Sequence, residues 1–181
     1  MVDTTTRSNR LAWASTVVRV ALGLILIYAG FAKLVEPSQA LRAVQAYRIL
    51  PPSIDDVVAI GLPLLELTVG VLLVIGLGTR PAAWVAGGLM VVFIAAVASA
   101  WIRGLSIDCG CFGGGGDVAA ADKTWRYTSE ILRDTGFLAL ALWLIRFPAS
   151  HLTMDDLIAT RDLPDEIGQD GDQQTHEEPQ T

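Results

Sequence analysis

Cysteine and histidine are nearly absent from this sequence, with two of each in 181 residues. So few cysteines exclude a disulfide framework of the kind that staples small exported domains. His151 and His176 lie beyond the last apolar run, far along the chain from Cys109 and Cys111. Two thiolates alone do not complete a four-ligand zinc site, so no metal is expected. There is no internal repeat, and no basic surface laced with aromatics of the kind that binds nucleic acid. Charge is scarce outside the end of the chain. From Ala149 onward there are nine acidic residues and one Arg. The net charge of −6 therefore belongs to that tail and says nothing about an acidic or basic ligand.

What is abundant is apolar residues, 52% of the chain, gathered into long runs. Roughly 20 helical residues cross the hydrocarbon of a bilayer, and four runs approach or reach that length. They are Thr16–Val35, about Val57–Leu77, Ala82–Ile102 and about Tyr127–Phe147. A cleaved signal peptide is the rival reading of the first run, set aside because the run is long and continues through Phe31. Unpaired backbone is costly in lipid, so the spans should be helices. The fold expected is all-α: a bundle of four transmembrane helices with a short interfacial helix and a disordered acidic C-terminal tail. The divisions expected are a loose polar N-terminal tail over 1–15, the bundle over 16–148 and the tail over 149–181.

The connector Glu36–Pro52 carries a helix start at Pro37-Ser38 and an apolar stripe of Leu41, Val44, Tyr47 and Leu50. It suits a short helix lying in the interface and stopped by Pro51-Pro52. Gly23 and Gly30 share a face of the first span, and Gly87-Gly88 sit in the third; such small residues let helices approach closely. Trp125 and Tyr127 suit an interfacial belt.

The two cysteines stand in Asp108-Cys109-Gly110-Cys111-Phe112, on the long loop before the fourth span. So short a loop gains little stability from a cross-link. A Cys-Gly-Cys disulfide closes a small, strained ring and is easily reduced. Gly110 allows the turn, and Gly113–Gly116 give freedom to meet a partner. Redox exchange, soft-metal binding and an incidental local disulfide remain open readings, with exchange the favoured one.

Intramembrane charge is the second signal. Glu66 falls near the middle of its span, where an ionised side chain is expensive and faces the bundle interior. Lys33, Arg133 and Asp134 lie in the same half of the membrane as the cysteines. A structural ion pair of Glu66 with Lys33 or Arg133 is favoured over a proton relay or a polar contact to a quinone. Arg19 lies toward the opposite end and is expected to snorkel.

The positive-inside count is balanced between the two sides and decides nothing. A dithiol loop works most naturally where disulfides persist, so the loop is placed outside a plasma (inner) membrane and both termini in the cytoplasm.

These residues resemble the small redox-associated membrane proteins of the MauE and DoxX type. The likeness runs over roughly residues 17–147. It rests on RVALGLILIYAGFAKL, the Tyr47–Pro51 stretch, PLLELTVGVLLVIG, DCGCFG before the last span, and Arg133-Asp134. The resemblance implies a role in disulfide formation in, and maturation of, exported proteins such as methylamine dehydrogenase. It also implies a thioredoxin-like partner, exported or membrane-anchored. It places the redox role on Cys109 and Cys111 and nothing specific on Glu66.

The function expected is a membrane thiol–disulfide oxidoreductase component that passes electrons between that partner and the membrane, with quinone the candidate acceptor. The competing readings are a non-catalytic membrane assembly factor and a small transporter or metal-handling protein.

Overall fold

A computed structural model describes residues 3–105, 107–108, 116–117 and 123–148. Five helices are present among them: α1 (Asp3–Val35), α2 (Pro37–Tyr47), α3 (Pro52–Ile75), α4 (Thr79–Ile102) and α5 (Lys123–Arg146). Two short strands, β1 (Ile107–Asp108) and β2 (Gly116–Asp117), pair antiparallel between α4 and α5. The acidic tail from Ala149 lies outside the described residues.

Three helical segments are long and apolar enough to cross a membrane: Asn9–Val35, Pro52–Ile75 and Thr79–Ile102. The fourth expected span, α5, matches them at 24 residues but carries Arg126, Glu130, Arg133, Asp134 and Arg146, which lower its hydropathy. It nevertheless belongs to the bundle. Leu22 and Leu26 of α1, Val69 and Leu73 of α3, Ala83, Ala86 and Met90 of α4, and Ala141 and Leu144 of α5 form one buried core.

The α1–α3 crossing is made by glycine. A Cβ at Gly23 would lie 2.8 Å from the Gly70 carbonyl oxygen, and one at Gly70 would lie 2.7 Å from that of Gly23. Gly30 is as tight, with a Cβ there only 2.7 Å from the Pro63 carbonyl oxygen. The two glycines expected on one face of the first span do line a close helix contact. The pair in the third span divides. Gly87 faces Leu138 and Ala141 of α5, while a Cβ at Gly88 would meet nothing within 4 Å.

Three boundaries differ from expectation for identifiable reasons. The polar N-terminal segment expected to be loose is helical from Asp3. Its end is docked: the buried Ser15 hydroxyl donates to the Phe147 carbonyl at 2.9 Å, and the Trp143 indole N–H donates to Ser15 at 3.3 Å. Pro51-Pro52 do not stop α2. That helix ends earlier, at Arg48 in the left-handed region with φ 51°. The prolines instead open α3, where a missing N–H costs nothing. Ala40 and Ala43 are the buried residues of α2, and Val44, Tyr47 and Leu50 of the expected stripe line one cavity with them. Between α3 and α4 the chain turns on Gly76 (φ 74°) and Gly78 (φ 58°), both in conformations that favour glycine.

Candidate functional site

The ends of the helices decide what is gathered where. The C-terminal ends of α1 and α4, the short α2, and the N-terminal ends of α3 and α5 share one end of the bundle. The loop that carries Cys109 and Cys111 belongs to this end. The cysteines themselves lie outside the described residues; their frame is described. Ile107 pairs with Asp117 and Asp108 with Gly116, so the ladder closes on either side of residues 109–115.

Tyr127 secures this frame. Expected in an interfacial belt, it is instead 1% exposed. Its hydroxyl donates to the Leu105 carbonyl at 2.8 Å and accepts from the Ile107 N–H at 3.3 Å. One side chain from α5 thus holds the backbone leading into the cysteine loop. Its ring packs with Val97, Ala100 and Ile107, against Ala46 and Tyr47 of α2. Trp125, 75% exposed, keeps the outward position expected of a belt residue.

The four charged residues singled out in the sequence come together. Lys33 Nζ lies 2.6 Å from Glu66 Oε1 and 2.8 Å from Oε2, and the side chains are 10% and 1% exposed. Arg133 does not pair with Glu66. Its Nε and Nη2 both donate to Oδ1 of its neighbour Asp134 at 3.0 Å. Oδ2 of Asp134 is buried with no hydrogen-bond partner among the described residues. All four line one small cavity of about 20 Å³ together with Met90, Phe93 and Phe137. Two cations and two carboxylates thus balance inside the bundle, which is how such groups are tolerated at membrane depth. No cluster of His, Cys, Asp and Glu among the described residues has the makings of a metal site.

Lys33 has a second face. It also lines a larger apolar cavity of about 220 Å³ between α2, α3 and α4, with Ala43, Val44, Ala59, Pro63 and Phe93 among its walls. Val44, Tyr47 and Leu50 of the apolar stripe read in the sequence line this cavity, but nothing in the sequence showed that they enclose one.

Arg19 overturns its expectation. It is 1% exposed, with Nη1 donating to the Leu73 carbonyl at 3.0 Å and reaching that of Val74 at 3.5 Å. A cation there satisfies the last carbonyls of α3 and meets the negative end of its dipole. Arg103 does the same for α2, donating to the carbonyls of Tyr47 and Arg48.

Residues 11–147 match the family model described as methylamine utilisation protein MauE. The chain belongs to the MauE family. A MauE relative, the methylamine utilization protein MauE of Paracoccus denitrificans, is 39% identical over 104 residues. That alignment covers 57% of this chain and 54% of the relative, so the chain spans about half of that relative's length. No solved structure matches the chain. With three apolar helices and MauE membership, it is a multi-pass membrane protein. The matched region takes in Lys33, Glu66, both cysteines, Tyr127, Arg133 and Asp134.

Proposed function

We propose that this MauE-family chain is a membrane thiol–disulfide oxidoreductase component with Cys109 and Cys111 as its exchanging pair. The observation that carries the reading is the frame around them: a strand ladder and the buried Tyr127 fix the start of a loop that opens with Cys-Gly-Cys. A fixed base and a glycine-rich sequence suit a dithiol that must present itself to another protein. One cysteine attacks, or is attacked by, a partner thiol, and the other resolves the mixed disulfide. The partner is a thioredoxin-like protein, exported or membrane-anchored, and the product is disulfide formation in exported proteins. Methylamine utilisation, which the family's name carries, is one setting for that work.

The reading has α5 as a fourth crossing, with α2 lying in the interface. At 24 residues and about 1.5 Å each, α5 is long enough to span. Its Arg133 and Asp134 turn toward the interior cavity, while Leu132 and Leu142 face out. The Ser15–Phe147 hydrogen bond brings the end of α5 back beside the first part of α1, as an even number of crossings requires. Both termini are then cytoplasmic and the cysteine loop is outside.

The test is to trap mixed disulfides in membranes from Cys109→Ser and from Cys111→Ser, and to identify what is attached. One of the two should accumulate a covalent complex with a thioredoxin-like protein. Normal maturation of exported disulfide proteins by the double Cys109→Ser, Cys111→Ser variant would sink the reading and favour a non-catalytic assembly factor.

A further inference from the structure

The cavity between α2, α3 and α4 has the chemistry of a ligand site. An apolar cavity of about 150 Å³ is enough to take up benzene. At about 220 Å³ this one has room for a substituted six-membered ring. Its rim includes Ile49, Leu50 and Val92, all exposed, so it opens toward the surroundings of the bundle rather than into its core.

The walls are aliphatic or aromatic apart from the Lys33 ammonium and the Tyr47 phenol. Lys33 has three N–H donors, and two of its hydrogen bonds go to the Glu66 carboxylate. The ammonium also lies 5.1 Å from the centre of the Phe93 ring, which lines this cavity too. A flat apolar body bearing a carbonyl acceptor fits both parts of this lining. A saturated hydrocarbon chain would leave the ammonium without a new partner.

Position adds to chemistry. Tyr47 lines the cavity and also packs against the cluster of Val97, Ala100, Ile107 and Tyr127 at the base of the cysteine loop, so the two share this side chain. Behind Lys33 stand Glu66 and Asp134, the carboxylates that line the small cavity.

We infer that the α2–α3–α4 cavity binds the ring of a lipid-soluble quinone, with Lys33 donating a hydrogen bond to one ring carbonyl. The binding stands on the cavity alone; its use rests on the dithiol reading above. There, two S–H bonds break and one S–S bond forms at Cys109 and Cys111. The two electrons and two protons released reduce the quinone, which forms two O–H bonds and leaves as the hydroquinone.

The experiment uses the full chain in lipid nanodiscs and an azido-substituted benzoquinone with a short alkyl tail as photoaffinity probe. Label should fall on peptides of α2 and α3 and be displaced by decyl-benzoquinone, but not by hexadecane at equal concentration. Val44→Trp, and Ala96→Leu as a second filling from α4, should each weaken labelling about tenfold while the protein keeps its melting temperature. Adding Lys33→Met to a Glu66→Leu background, so that no buried charge is stranded, should weaken it about tenfold as well, as loss of one charged hydrogen bond does. Displacement by hexadecane as effective as by the quinone would make the cavity a lipid groove and overturn the inference. So would label spread over the outer faces of the helices, or filled variants that label like the wild type. The Cys109→Ser, Cys111→Ser variant should label normally, which separates failure of this site from failure of the dithiol reading.

Discussion

Lys33 and Glu66 meet where the bilayer leaves little water to solvate either. Taking both charges out of water is costly, and their mutual attraction offsets that cost only while both remain. Glu66→Gln keeps the shape but leaves the ammonium without its counter-charge. It should lower stability by about 3 kcal/mol, as breaking a buried pair does. Replacing both partners, Lys33→Met with Glu66→Leu, removes the charges together and should recover most of the loss. Thermal unfolding of the three variants in one detergent checks this. A Glu66→Gln protein as stable as the wild type would mean that the pair contributes nothing to the fold. Redox state is the second readout on the same variant. If the cluster serves the dithiol, Glu66→Gln slows reoxidation of Cys109 and Cys111 by more than its loss of folded protein explains.

At the scale of elements, the molecule depends on how closely α1 and α3 approach. Gly70→Val would place new carbon 2.7 Å from the Gly23 carbonyl oxygen and 2.8 Å from Ile27 Cγ1. Backbone cannot yield as a side-chain tip can, so the helices must part. Overpacking of this kind costs about 1–3 kcal/mol. Gly88→Ala is the matched control, since its Cβ meets nothing within 4 Å. The first variant should melt several degrees lower and the second within a degree or so of the wild type; equal melting would show that the crossing tolerates a wider spacing. This contact was legible in the sequence because Gly23 and Gly30 recur on one helical face within an apolar run. The apolar runs were legible for the same reason, as local patterns. Arg19 and Tyr127 were not. Hydropathy gives a residue's depth but not its partner. Arg19 is buried because carbonyls 54 residues further along the chain accept its hydrogen bond. Tyr127 turns inward because the backbone at Leu105 and Ile107 needs its hydroxyl. An aromatic at a membrane edge reads the same in sequence whether it faces lipid or a loop. The quartet was half legible: the charges stood out, but the Arg133–Asp134 pairing, between neighbours in sequence, went to the nearest partner instead of across the bundle.

The whole molecule presents two ends with different tasks. One gathers α2, the cysteine loop, the polar quartet and the apolar cavity. The other has the turn at Gly76–Gly78, the Arg19 cap and the junction of Ser15 with Phe147. If α4 and α5 each cross the bilayer, a probe on the Gly76–Gly78 side and one on the cysteine loop must report opposite faces. Exposed Arg80 offers the first site, and Cys109 and Cys111 are themselves the second. A membrane-impermeant maleimide should label the native cysteines, once reduced, on intact cells. In the Cys109→Ser, Cys111→Ser background, Arg80→Cys should label only after the membrane is permeabilised, and an epitope placed after Phe147 should be shielded in the same way. The reverse pattern would invert the orientation and remove the exported partner with it. An epitope accessible together with the native cysteines would show that α5 does not cross. The burial of Asp134 argues against that outcome, because a helix lying on the surface would have no reason to turn a carboxylate of its middle turn toward Glu66 and Lys33.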